Sequence, residues 1–310
     1  MLRNSRVQII LSVIISTLIP SLVKAQTEMD AIMMNKNQFC NGFVYEHASW
    51  NNYWEGSLKR TNENLGTVTT QSLMMMSNYG ITNNLNIMAG LPYIKTKASA
   101  GTMHGMEGLQ DVSLTVKWRP IRQTYGKGKL SVYLLGGIST PSSKYVVDFL
   151  PMSIGLGSTK LIAKGMVDYE VKRFTVTGSA AYIRRSNIKL DRDNYYDTEL
   201  HLTDEVKMPD AAQYQLRTGY RGKYLLAEAL LTNWTTLGGF DMTRNNMPFP
   251  SNRMNGTMIG AAIKYTIKSF TNLSLVGGFN HTIAGRNMGK ANAYNAGVFY
   301  LCDLSKRTKH

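Results

Sequence analysis

From Leu109 to Arg119 the chain alternates: Val112, Leu114, Val116 and Trp118 fall on one side of an extended backbone, and Ser113, Thr115, Lys117 and Arg119 on the other. Successive strand side chains point to opposite faces, so this segment has one face suited to hydrocarbon and one suited to water. The same alternation recurs along the chain. Ile87, Ala89, Leu91 and Tyr93 oppose Asn86, Met88 and Gly90; Leu161, Ala163, Val167 and Tyr169 oppose Lys160, Lys164 and Asp168; Tyr214, Leu216 and Tyr220 oppose Gln213, Gln215 and Arg217; Ile259, Ile263, Tyr265 and Ile267 oppose Lys264 and Lys268. Reversed facing would place Lys and Arg in hydrocarbon at about 2–4 kcal/mol each near a bilayer midplane, so the assignment of faces is energetically one-sided.

Short turn-like breaks occur at Gly80-Ile81-Thr82-Asn83-Asn84, from Pro120 to Gly128, around Glu170 to Arg173, at Arg221-Gly222-Lys223 and at Ser269 to Asn272. Longer polar stretches separate them, near 53–64, 97–107, 140–152, 186–207, 236–252 and 285–290. A strand on each side of every break gives spans of 39–50, 66–79, 85–95, 109–119, 129–139, 158–169, 173–184, 211–220, 223–234, 256–268, 272–283 and 291–302. The pattern predicts an all-β fold: a transmembrane antiparallel β-barrel of about twelve strands, with short periplasmic turns, longer outer loops and both ends on the periplasmic side. Tyr45, Trp50, Tyr53, Trp54, Tyr79, Tyr93, Trp118, Tyr169, Tyr220, Tyr224, Trp234, Tyr265 and Tyr300 collect near strand ends, as headgroup-level girdles do.

The first residues fit that location. Arg3 and Arg6 precede the apolar run Ile9 to Ile15, and Val23-Lys24-Ala25 has small-x-Ala spacing, so residues 1–25 read as a cleaved signal peptide and 26–310 as the barrel with a short C-terminal tail. No later stretch reaches the ~20 apolar residues of a spanning helix. Of 35 Lys and Arg, the signal carries Arg3, Arg6 and Lys24, leaving 32 against 20 acids in the mature chain. Export argues against nucleic acid as the partner of this basic chain and points to outer-membrane lipids, lipopolysaccharide or a small solute. Cys40 and Cys302 lie where the first and last strands meet, Cys40 facing inward and Cys302 outward; a bridge across the seam and two unpaired thiols are the alternatives.

Several short segments carry a resemblance. Asn78-Tyr79-Gly80-Ile81-Thr82-Asn83-Asn84-Leu85-Asn86, Gly90-Leu91-Pro92-Tyr93, Gly108-Leu109-Gln110-Asp111-Val112, Lys117-Trp118-Arg119 and Ser139-Thr140-Pro141 resemble the outer-membrane family of the meta-pathway of phenol degradation. The resemblance covers mainly residues 66–141 and implies a barrel that passes or binds small, often hydrophobic, compounds. The motifs read as architecture: Gly80 with the Asn pair as a tight turn, and Pro92 as a limit to its strand near a rim.

The chemistry suggested by the residues is of two kinds. The expected inward set is Glu46, Lys117, Arg119, Lys160, Lys164, Asp168, Arg217, Glu228, Lys264 and Lys268, in which cations predominate. Such a lumen attracts anions, or its charges pair with one another and with loop acids as a plug. On the outer face, His47 and Ser49 lie two apart, the spacing of the His-x-Ser pair of outer-membrane lipid hydrolases, although no orienting Asn, Asp or Glu is placed beside them by sequence. No metal-ligand spacing and no cofactor motif is present. The leading expectation is a porin-like barrel of a Gram-negative outer membrane that binds or conducts a small solute, anionic or aromatic, without chemistry. A structural or assembly barrel and a lipid hydrolase using His47 and Ser49 are the alternatives.

Overall fold

The computed structural model describes residues 27–243 and 247–304. Twelve long strands form the barrel: β1 (Gln38–Trp50), β2 (Val68–Thr82), β3 (Leu85–Ala98), β4 (Asp111–Tyr125), β5 (Gly128–Pro141), β6 (Lys160–Val171), β7 (Phe174–Arg185), β8 (Ala211–Arg221), β9 (Leu225–Thr236), β10 (Asn255–Thr266), β11 (Leu273–Arg286) and β12 (Asn292–Asp303). Each pairs antiparallel with its neighbours in sequence, and β1 also pairs with β12 from Gln38–Asp303 to Ser49–Asn292, which closes the ring. Closure leaves no strand edge to template aggregation. The short connections lie at the end where the chain enters β1 and leaves β12, the periplasmic end in barrels of this kind.

The faces follow the alternation read from sequence. Leu114, Val116 and Trp118 are 45%, 40% and 48% exposed, whereas Lys117, between them, is fully buried. Polar side chains fill the inside: Asn86, Thr115, Asp168, Thr177 and Glu228 are all buried. Cys40 is buried and Cys302 half-exposed, and both thiols are free. In register Cys40 meets Leu301 while Cys302 meets Phe39, so the two sulfurs sit on opposite faces.

Prolines and one glycine act differently from the sequence reading. Pro120 does not end β4; the strand crosses it through a register shift between Trp118 and Ile121 and turns only after Tyr125. Bulges are among the few sheet positions where a missing N–H is tolerated. Pro92 likewise lies within β3, which runs on to Ala98. Its carbonyl accepts from Gln110 N at 2.9 Å, so its ring nitrogen faces β4 as well, and the regular β3–β4 ladder stops at Gly90–Ser113. Gly80 is inside β2, ahead of the Asn83-Asn84 turn, and its role is a close backbone approach described below.

The outer loops carry three small hairpins, Asn52–Glu55 with Leu58–Thr61, Ile188–Lys189 with Glu205–Val206, and Tyr195–Tyr196 with Leu200–His201. Ile188, Leu190, Tyr195, Val206, Met208 and Phe249 form one apolar cluster joining the loops 186–210 and 237–254. Trp54, grouped by sequence with the interfacial girdle, is buried in its hairpin with its ring against Gly285.

Candidate functional site

The interior is occupied by the chain's own N-terminal segment. Residues 27–34 (Thr-Glu-Met-Asp-Ala-Ile-Met-Met) run inside the barrel and meet inward side chains from strands on opposite sides of the ring. Lys117 on β4 donates from Nζ to the carbonyls of Thr27, at 3.2 Å, and Asp30, and lies 3.5 Å from the Asp30 carboxylate. Lys164 on β6 donates to Glu28 O at 3.2 Å, and Arg217 on β8 donates from Nη1 to Met29 O at 3.1 Å. Tyr133 on β5 donates its hydroxyl to Ala31 O at 2.8 Å, and Lys117 Nζ lies 5.5 Å from the centre of the Tyr133 ring. Four successive carbonyls thus spend their acceptor capacity on three cations, an arrangement that satisfies backbone groups which hydrocarbon-enclosed space would otherwise leave unpaired.

The segment is gripped apolarly as well. Ala31 and Met33 pack with Met88, Tyr133, Leu135 and Met166, while Met34 packs with Cys40, Phe299 and Leu301 at the β12–β1 seam. Its entry point is Gly80: Asn37 N donates to Gly80 O at 2.8 Å, and a Cβ at Gly80 would stand 2.0 Å from Asn35 O. Only glycine lets the incoming backbone pass there.

Around this plug the wall charges form chains. Arg217 forks onto Glu228, with Nε at 2.9 Å and Nη2 at 2.5 Å from Oε2. Arg221 bridges Asp168 at 3.1 Å, Glu170 at 3.5 Å and Glu228 at 3.6 Å, and Thr177 donates to Asp168 at 2.6 Å. Nearer the outer end Lys160 pairs with Asp111 at 2.7 Å. The wall charges are thus partly paired with one another, while Lys164 and one arm of Arg217 donate to neutral carbonyls and Lys117 donates to two carbonyls and also meets the Asp30 carboxylate. Glu28 and Asp30 of the plug add two acids to this lumen, Asp30 lying 3.5 Å from Lys117.

Of the expected inward set, Lys117, Lys160, Lys164, Asp168, Arg217 and Glu228 are brought together in these chains, and Glu46 and Lys264 share the inward face of β1 and β10. Arg119 also faces inward, lining a small cavity with Ala31, Tyr133, Asp168 and Arg221 at the periplasmic end, with its guanidinium turned to Asn83 O at 3.1 Å and Asn84 Oδ1 at 2.8 Å. One member sits elsewhere. Lys268 corrects the sequence reading: β10 ends at Thr266, and Lys268 lies in the following turn, 5.9 Å from the Tyr224 ring. Sequence reasoning missed Asp111, Tyr133, Arg221 and the whole of 27–34. Asp111 shares strand parity with Lys117, and Arg221 with Arg217; Tyr133 lies on a strand for which no inward residue was named, and the plug has no periodicity to betray it.

His47 and Ser49 are on the outer face, as expected. His47 is in register with Gln71 and Tyr294, and Ser49 with Thr69 and Asn292. Among the described residues no hydrogen bond joins His47 to Ser49. The Asn292 amide instead accepts from His281 Nδ1 at 2.6 Å, so a histidine of another strand holds the one amide in register with the serine.

The outer loops are latched above the lumen. Asp241 forms a fork with Arg286, its Oδ1 accepting from Nε at 2.7 Å, and accepts from Asn287 Nδ2 at 2.8 Å, while Asn287 also accepts from Gly56 N at 2.7 Å. The Arg286 guanidinium, then the Asn287 amide, hold the Asp241 carboxyl below its ordinary 3.8. A depressed folded-state pKa means that the latch is intact above pH 3.8 and is lost as pH falls through the lower folded value. Asp241→Asn is expected to lower the amide-exchange protection of 247–254, measured against the intrinsic rate, at neutral pH, and the wild-type loop to lose the same protection only in strong acid. Equal exchange in both proteins at pH 7 would remove the latch.

A closed antiparallel barrel with a polar, charge-lined interior and an apolar belt is an outer-membrane-type β-barrel. The family model described as "Putative MetA-pathway of phenol degradation" matches residues 61–296, about three quarters of the chain, and the protein belongs to that family. Among solved structures, the COG4313 outer membrane channel from Pseudomonas putida F1 superposes with a TM-score of 0.68 at 14% identity, covering 90% of this chain and 100% of that one. The CymD monoaromatic hydrocarbon channel gives a TM-score of 0.40 at 11% identity, over 87% of this chain and 89% of that one. No curated protein matches by sequence.

Proposed function

We propose that the protein conducts a small solute across the outer membrane through the barrel lumen, and that residues 27–34 are the plug that closes it. The observation that carries this reading is the segment's mode of attachment. It is held by hydrogen bonds, one buried ion pair and methionine contacts rather than by strand pairing, so it can leave without opening the ring. The family's membership and the channel named among the similar structures support the same direction. A barrel serving only as scaffold has no need of a lumen kept polar and then stoppered.

Replacing residues 27–34 with a Gly/Ser stretch of equal length tests it. In planar bilayers the wild-type chain is expected to show rare, small current steps and the replaced chain a steady conductance several-fold larger. An unchanged conductance in the replaced chain, with the barrel folded by its heat-modifiable mobility, would refute the conduit.

A further inference from the structure

The plug's contacts sort into two adjoining groups. Lys117, Lys164 and Arg217 converge on oxygen atoms, namely the carbonyls of 27–30 and the Asp30 carboxylate. Met88, Leu135 and Met166 converge on Ala31 and Met33. Tyr133 belongs to both, its hydroxyl on Ala31 O, its ring in the apolar cluster and near the Lys117 ammonium. The wall therefore offers, side by side, a cluster of N–H donors carrying positive charge and a flexible apolar patch. Methionine surfaces adapt to varied shapes, whereas the ammonium pair demands oxygen and negative charge.

We infer that the plug lies in the solute's own site, and that this site takes a small amphipathic organic anion: a carboxylate facing Lys117 and Lys164, with an apolar body on Met88, Leu135 and Met166. The inference rests on the conduit reading and adds the chemical class of its cargo. The plug is then a tethered competitor. Solute binding and plug seating exclude one another, so each lowers the apparent affinity of the other through the fraction of barrels left open. Arg217 is the weaker participant, because Glu228 already holds two of its nitrogens.

Binding measured without flux separates the two ideas. Ligand-observed NMR in lipid nanodiscs would compare cyclohexanecarboxylate, cyclohexanemethanol and acetate on the wild-type chain, the chain with 27–34 replaced by Gly/Ser, and that chain carrying Lys117→Met and Lys164→Met. Cyclohexanecarboxylate is expected to bind the plug-replaced chain and to bind the wild type about tenfold more weakly. The alcohol, lacking charge, and acetate, lacking an apolar body, should both bind far less. Loss of both lysines should abolish carboxylate binding, and Leu135→Gln should weaken it while leaving the acetate signal unchanged; if the double variant does not fold, Lys117→Gln alone with Leu135→Gln gives the same contrast. Equal binding of the alcohol, equal binding of acetate, or binding indifferent to the lysines would each overturn the assignment. Carboxylate binding without bilayer conductance would instead leave this site standing and remove the conduit.

Discussion

Gly80→Ala should open the barrel. The added Cβ would stand 2.0 Å from Asn35 O and 2.9 Å from its carbonyl carbon, both backbone atoms that cannot rotate aside as a side-chain tip does. The chain from Asn35 to Asn37 is fixed there by three contacts: Asn37 N to Gly80 O at 2.8 Å, Lys36 N to Asn83 Oδ1 at 2.9 Å, and Asn35 N to Gln38 Oε1 at 3.2 Å. Displacing this anchor moves the plug's root while leaving every lumen cation in place. Single-channel recordings are expected to show an open probability approaching that of the plug-replaced chain. Gly165→Ala, where a new Cβ meets nothing within 4 Å, serves as the matched control. A closed Gly80→Ala channel would mean that the anchor is dispensable to the seal.

The second large effect is on stability. Arg217→Met leaves the Glu228 carboxylate, whose side chain is 1% exposed, with Arg221 at 3.6 Å as its remaining cation. Removing one partner of a buried pair costs roughly 3–5 kcal/mol, whereas replacing both with apolar side chains of similar volume is often near neutral. Arg217→Met should therefore shift guanidinium unfolding in nanodiscs to markedly lower denaturant, and adding Glu228→Met should restore most of the loss. The single variant should also loosen the plug, since Met29 O loses its donor. If the double variant is no more stable than the single, the pair contributes more than the desolvation argument allows.

These two residues mark how far the sequence could be read. Arg217 was legible because Tyr214 and Leu216 point outward around it, and the same parity placed Lys117, Lys164 and Glu228 without any knowledge of the ring. Facing and the split of Cys40 from Cys302 came from that periodicity, and the strand count from the turn-like breaks between the alternating segments. The prolines misled because their local effect, a missing N–H, was read as an ending; neighbouring ladders hold β3 and β4 straight through Pro92 and Pro120. Lys268 misled because alternation continues one turn past the last ladder pair, Thr266–Ser274. The plug was invisible for a different reason. The wall side chains that hydrogen-bond it lie between 87 and 188 residues away, and an irregular segment enclosed by a barrel has no face to display as a pattern. Gly80 was noticed, but as a turn, since nothing local announces that another part of the chain crosses it.

The seat of Met34 has a consequence for biogenesis. Phe299 and Leu301 come from the last strand and Cys40 from the first, so the pocket that takes Met34 is completed only when those strands zip together. Sealing is in this way coupled to the final step of assembly. An unfinished barrel has nowhere to lodge its stopper, and a lodged stopper reports that the ring has closed.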